Sequence, residues 1–438
     1  MPQNNTRTFL LVSIALITVF ALGAVTGSFL KKPRPQLSES TQTTKPDPYI
    51  EFLSEVYDKI KENYWDKIND GNLVTLFKLG AEKLTGNPLS LKSLNKEELR
   101  KSLTSIIINS KDEKQKKDFS VNLAGMVLAN LSPFGRSGLY TTKEETALKN
   151  NVANINPDKN LYQDLGVSSG SSSAELQKSY EKNKSLLERQ KQSSPEAAKK
   201  LEQVNYAYGI LSDRQKKEDY DKYGVEPTVI VKLIKENILY LQIKKISPTT
   251  FDEIQRETSS IKESKDLNSL IVDLRGNIGG SIDLLPYLLG PFIGQNQYAY
   301  EFFHQGETTP NKTKTGFIPS LLQYKKVITL IDNQTQSSAE VIAATLKKYN
   351  VGITLGTTTR GWGTVEKVFT IDHQIDPSEK YSLFLVHSLT LRDDGQSIEG
   401  KGVDPLINIS DPSWESRLNE YYNFPELGQA VKILYNLK

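Results

Sequence analysis

Leu270 to Gly280 reads LIVDLRGNIGG, and Lys326 to Gly356 reads KVITLIDNQTQSSAEVIAATLKKYNVGITLG. In each, an apolar run of strand length gives way to a turn and then to a helical pattern. In the first, Gly276, Gly279 and Gly280 free the backbone after Asp273 and Arg275 to turn sharply and present N–H groups to a ligand. A plain strand-to-helix turn has the same signature. In the second, Ser337 and Ser338 stand at a helix start, with Val341, Ile342, Leu346 and Tyr349 on its inward side. A hydroxyl there is either an N-cap or a nucleophile whose alkoxide the helix dipole supports.

Around these junctions, strand-like runs at Val229–Ile234, Ile238–Ile243, Ser269–Leu274, Lys326–Ile331, Gly352–Gly356, Val365–Thr370 and Tyr381–Leu391 alternate with helical stretches, one of them near Thr250–Ser264. This predicts an α/β core over residues 226–412, followed by a C-terminal segment, 413–438. Upstream, Tyr49, Phe52, Leu53, Val56, Tyr57, Ile60 and Tyr64 recur at helical spacing, as do residues in Leu73–Leu84 and Val121–Leu131. An all-helical region is therefore expected over 49–158. No fixed-period repeat is present.

Phe9 to Leu30 carries no charge and is long enough to cross a bilayer, so residues 1–30 are expected to be a single-pass anchor rather than a cleaved signal. Gly23 and Gly27 form a G-x-x-x-G step, which leaves a homodimer open. Residues 31–48, KKPRPQLSESTQTTKPDP, have little to bury and read as a tether. Lys31, Lys32 and Arg34 outnumber Arg7, which by the positive-inside rule favours a cytoplasmic body.

The 438 residues have a formal net charge of +3 with acids and bases interleaved, so no nucleic-acid partner is expected. There is no cysteine and only His304, His373 and His387, which argues against a metal site; no cofactor is expected. Any chemistry rests on hydroxyls, carboxylates and amines.

From 159 to 225 the chain reads LYQDLGV, SAELQKSYEK, VNYAYGILSD and YDKYG in order, helical between turns. This segment resembles a J domain. Glu188, Arg189 and Gln190 occupy the place of the His-Pro-Asp tripeptide with which J domains stimulate an Hsp70. The resemblance thus implies a helical spacer or docking module, and no Hsp70 partner.

DLRGNIGG, QSSAEVIA, LGTTTRGWGTV and GQSIEGKGVDP, in this order and spacing, resemble the motifs of the S41 serine peptidases that process protein C-termini, the tail-specific proteases. LANLSPFGRSGLYTTKEE at Leu128–Glu145 is similar to the family's helical lead-in segment. The resemblance implies a ClpP/crotonase-like α/β core, an extracytoplasmic body, a polypeptide substrate, and a neutral lysine that deprotonates a serine. It places the nucleophile at Ser337 and the oxyanion donors at Gly279, Gly280 and Ser338. The family lysine falls on Trp362, which has no basic group, and the supporting glutamine falls on Glu366. Residues four apart share a strand face, so Glu366 is expected towards the serine and Lys367 away. A Ser–Glu pair assisted by His387 is one reading; a solvated strand carboxylate and a structural histidine are the other. The J-like segment stands where many family members carry a PDZ domain. An impaired peptidase, or a pseudopeptidase that binds polypeptides, is the expectation.

Overall fold

The computed structural model describes residues 47–261, 267–392 and 394–436. The predicted anchor Phe9–Leu30 lies outside the described residues, as does most of the tether; no helix among the described residues is long and apolar enough to cross a membrane.

Four helices open the body: α1 (Pro48–Asn63), α2 (Asp70–Thr85), α3 (Lys96–Ile108) and α4 (Glu113–Ala129). The side chains of Asn69, Asn95 and Asp112 cap the last three by accepting from backbone N–H groups three residues on, which fixes where each helix starts. Their inward faces meet in one cluster that holds Phe52, Ile60, Phe77, Ile107 and Leu123. Leu383 and Leu385 of the core belong to the same cluster, so these helices pack directly on a sheet. The region is not wholly helical, because β1 (Gly138–Thr141) pairs antiparallel with Tyr381–Phe384 before α5 (Thr142–Val152) begins. A Thr141–Glu144 capping box starts α5.

The insert comprises α6 (Leu161–Leu165), α7 (Ser173–Gln190), α8 (Pro195–Leu211) and α9 (Arg214–Tyr223). It has its own core of Leu161, Leu165, Leu176, Leu201, Val204 and Ala207. Tyr180 of α7 stacks on Tyr208 of α8 with ring centres 3.9 Å apart. Glu188, Arg189 and Gln190 form the last turn of α7.

The remaining elements are β2 (Val229–Ile234), β3 (Ile238–Ile243), α10 (Thr250–Ser259), β4 (Ser269–Asp273), α11 (Leu285–Ile293), β5 (Tyr298–His304), β6 (Glu307–Lys312), α12 (Pro319–Leu322), β7 (Lys326–Ile331), α13 (Ser338–Lys348), β8 (Ile353–Gly356), β9 (Thr364–Thr370), β10 (Tyr381–Leu391), β11 (Ile407–Asn408), α14 (Trp414–Tyr422) and α15 (Pro425–Tyr435). One sheet runs β11-β8-β7-β4-β3-β2, parallel except for β2. Alternate residues of β3 and β4 point to opposite faces. Leu239, Leu241, Leu270 and Val272 meet α10, α11 and α13, while Ile238, Tyr240 and Ile271 meet α14 and α15. Helices on both faces explain why β4 is buried throughout and reads as an unbroken apolar run. The other sheet is β1-β10-β5-β6, with β9 also paired to β10. The turns that follow β4 and β7 lie together at the carboxyl ends of these parallel strands, where open α/β sheets place their sites.

Candidate active site

The turn after β4 is anchored from below by a buried ion pair. Asp273 is fully buried and accepts from Arg275 Nε and Nη2 at 2.9 and 2.7 Å and from the Tyr240 hydroxyl at 2.8 Å. Arg275 in turn stacks on Tyr435, 4.0 Å from the ring centre, and donates to Leu434 O at 3.2 Å. These two residues bind the turn to α15 and face no ligand. Asn277, also fully buried, donates to Ile243 O at 2.8 Å, accepts the Gly279 N–H at 2.8 Å, and accepts the Gln336 N–H on its carbonyl at 2.9 Å. One asparagine thereby ties the glycine turn to the segment before Ser337.

That tie brings the two backbones into contact. Gly279 has φ +89°, and a Cβ on it would lie 2.8 Å from Ser337 Cβ; Gly280 has φ +146°, and a Cβ there would lie 1.9 Å from Ile246 O. Only glycine fits either position. The N–H of Gly279, one of the three expected oxyanion donors, is taken up by Asn277 Oδ1 at 2.8 Å. Among the described hydrogen bonds, the N–H groups of Gly280 and Ser338 have no acceptor within the chain. Ser338 is itself fully buried, and its hydroxyl donates to Gly280 O at 2.9 Å, locking the turns together.

Ser337 is held at φ +56°, ψ −128°, a conformation costly for an L-residue and of the kind found where a side chain is presented for function. It is half-buried. Ser337 and Glu340 are disposed as a capping box, in which Glu340 Oε2 accepts the Ser337 N–H at 2.9 Å. Glu340 is fully buried and also accepts from Trp362 N (2.7 Å), Gly361 N (2.7 Å) and Thr359 Oγ1 (2.5 Å). Burial pushes its carboxyl above the ordinary range, against donors that pull it down. Glu340 therefore joins the serine turn to the loop that carries Trp362, a role that its place in the QSSAEVIA motif does not disclose.

At the position of the family lysine the structure has built a different network. The Trp362 indole N–H donates to Glu366 Oε1 at 3.2 Å, and the Thr364 hydroxyl donates to the same oxygen at 2.5 Å. The Arg136 guanidinium lies 3.3 Å from the centre of the Trp362 ring and pairs with Glu399 at 3.0 Å. Glu399 Oε2 accepts the Gly363 N–H at 2.8 Å, closing the circuit. Burial pushes the Glu366 carboxyl up, opposed by the Thr364 and Trp362 bonds and by the Arg136 charge. No hydrogen bond joins Ser337 Oγ to Glu366, Trp362 or His387 among the described residues.

His387 does not assist Glu366. It sits where the β9–β10 register shifts, and its Nε2 lies 3.5 Å from Lys367 Nζ, on the strand face opposite Glu366. Its ring stacks on His304 at 4.2 Å, and Nδ1 meets the Ser388 hydroxyl at 2.8 Å. Of the two readings of His387, these contacts are those of the structural histidine. Arg136 and Asn277 are the site residues that the sequence did not single out; Arg136 lies in SPFGRSG, a segment read only as a helical lead-in.

Comparison with known proteins now has a geometry to meet. The family described as peptidase family S41 matches residues 237–409, which include both turns, the Trp362 loop and β10. Residues 237–409 are a peptidase family S41 domain. A DnaJ domain matches residues 160–221, the whole of α6 to α8 and most of α9. Among curated proteins, the chain is similar to the carboxy-terminal processing protease CtpA of Bacillus subtilis, 27% identical over 212 residues, covering 47% of this chain and 43% of that protein. It is also similar to a probable CtpA-like serine protease of Staphylococcus haemolyticus, 27% identical over 183 residues, covering 42% and 35%. The matched part thus spans less than half the length of these relatives. Among solved structures, a photosystem II D1 C-terminal processing protease aligns with 83% of this chain and 93% of its own at a TM-score of 0.48 and 12% identity.

Proposed function

We propose that this chain is a membrane-anchored, polypeptide-binding pseudopeptidase, with a peptidase scaffold whose serine is not activated. The observation that carries this is the indole of Trp362 at the lysine position, hydrogen-bonded to Glu366 and covered by Arg136. A base must accept a proton from the serine hydroxyl, and indole N–H is a donor only. Glu366, the remaining candidate, already accepts two hydrogen bonds on one oxygen and none from the serine. The Gly280 and Ser338 N–H groups stay free to hold a peptide carbonyl without cleaving it.

The uncharged run Phe9–Leu30 supports the anchor. Family resemblance favours an extracytoplasmic body and Lys31, Lys32 and Arg34 favour the other side, so protease accessibility of the body in intact cells decides. The J-like insert, with Glu188-Arg189-Gln190 in a closed helical turn, is proposed as a structural module without Hsp70 stimulation. To test the main reading, full-length protein in detergent is incubated with fluorescent unstructured peptides; anisotropy should show saturable binding while mass spectrometry shows intact peptide. Cleavage that disappears in Ser337→Ala would make the chain a working peptidase.

A further inference from the structure

A cavity of about 1230 Å³ opens beside the glycine turn, at the stem of the J-like insert. One wall is Gly276 and Ile278 of the turn itself, three and one residues from the Gly279 that abuts Ser337. The opposite wall is Asn150, Asn151 and Asn154 of α5 and its end, and Tyr206 of α8. The volume exceeds the roughly 300–1,000 Å³ of an ordinary small-molecule pocket. Its lining sets four asparagine amides (Asn150, Asn151, Asn154, Asn156) among lysines and acids, which suits a polar extended main chain better than a compact apolar ligand.

The stem is built to stay in place. Ile155 bridges Val225, the Glu226 N–H donates to Asn154 O at 3.1 Å, and Asn154 Nδ2 donates to Glu226 O at 2.6 Å. Glu226 Oε2 also takes Lys159 at 2.8 Å and the Tyr206 hydroxyl at 2.5 Å. Glu253, the other acid facing this corner, is spent on the Thr228 and Val229 N–H groups and the Thr249 hydroxyl. Lys244, lining the cavity between them, makes no direct ion pair among the described residues, although the Glu253 and Glu226 charges partly support it; its ammonium lies over the Tyr206 ring at 5.4 Å. Lys245 beside it donates to Asn151 Oδ1. Burial makes the Lys244 charge costly, and a ligand carboxylate there would offset the cost.

We infer that this cavity is the polypeptide-binding groove, that the J-like insert forms one wall of it, and that Lys244 receives a carboxylate of the bound chain, which then runs past Ile278 to Ser337. This deepens the polypeptide-binding reading and rests on it. The carboxylate comes from the chain terminus or from an Asp or Glu side chain, and peptide chemistry separates the two.

The test uses full-length protein in detergent and one fluorescent unstructured peptide in four forms: free or amidated at its C-terminus, each with an internal Asp or Asn. Lys244→Met, which keeps the packing stem, should weaken binding of the preferred form about tenfold, the loss expected for one charge-assisted contact. Ala147→Trp, an exposed α5 position that lines the cavity, should do the same by filling it. A diazirine-bearing peptide on the unmodified protein should crosslink to both Ile278 and the Asn150–Lys159 segment, a readout that needs no variant to fold. Sensitivity to amidation assigns the carboxylate to the terminus, and sensitivity to Asp→Asn assigns it to a side chain. Binding by the unmodified protein that ignores both peptide changes and both substitutions, or crosslinks elsewhere, overturns the groove and leaves the polypeptide-binding reading intact. No binding of any peptide overturns that reading as well.

Discussion

Glu340→Gln isolates the connection between the serine turn and the Trp362 loop. In the native chain Oε1 accepts from Thr359 Oγ1 and Gly361 N, and Oε2 accepts from Ser337 N and Trp362 N. An amide keeps one of these oxygens and puts an NH₂ in place of the other, so in either orientation donors face a donor. If the nitrogen takes the Oε1 side, Thr359 can turn its hydroxyl, but the Gly361 N–H loses its acceptor; on the Oε2 side both N–H groups do. With about 1–3 kcal/mol for each buried donor left unmet, the expected cost is about 2–4 kcal/mol. Glu340 holds one loop rather than the whole domain, so hydrogen exchange is the appropriate assay. At about 1.4 kcal/mol per tenfold, amides of 336–341 and 357–365 should exchange roughly 30- to 700-fold faster. Amides of α8 in the insert, which has a separate core, should not change. Exchange within about twofold of the native rate in both segments would refute the claim that Glu340 ties the site together.

Three further outcomes follow from the same geometry. Trp362→Lys alone should restore little serine reactivity, because Glu366 would hold the new ammonium charged; Trp362→Lys with Glu366→Gln should react with a fluorophosphonate at least about tenfold faster than the single variant. His387 is pushed down to about 4 by burial and by the nearby Lys367 and His304 charges. The folded state then binds fewer protons than the unfolded state, so stability is intact above about pH 6.5 and is lost as pH falls towards 4. Because the ring is half-exposed, the loss is discounted to about 1 kcal/mol, and His387→Asn should flatten that part of a melting-temperature profile. Gly279→Ala, at φ +89° with a contact of 2.8 Å to Ser337, should lower the melting temperature more than Gly276→Ala, at φ +69° with open space around it. Equal losses would mean that the close approach of the two turns is not what requires glycine.

Much of this was legible in the chain because the core is a parallel sheet. Strands buried on both faces must be unbroken apolar runs, and those at Ile238–Ile243 and Lys326–Ile331 are found where their sequence predicts them. The hairpin β5–β6 escaped notice: β6 is Glu307–Lys312, almost wholly exposed and with Pro310 in it, so its composition is that of a loop. Its turn is marked only by Gln305 and Gly306 at positive φ. β1 was missed because its Gly138–Thr141 run is too short to show a period, and it becomes a strand only by pairing with β10. In the site, motif spacing made legible that Ser337 opens α13, that Gly279 and Gly280 lie in the turn after β4, and that Trp362 lies in the loop before β9. Arg136 was not legible, since a guanidinium stacked on an indole more than two hundred positions away leaves no local pattern.

Fluorophosphonate labelling of the unmodified full-length chain, read by mass spectrometry at Ser337, tests most directly the proposal that the serine is not activated. The Trp362 network predicts no labelling under conditions in which the Trp362→Lys, Glu366→Gln variant is labelled, a difference of about 10²- to 10⁴-fold for a lost general base. Labelling of the unmodified chain at a rate comparable to that variant, and abolished by Ser337→Ala, would contradict it.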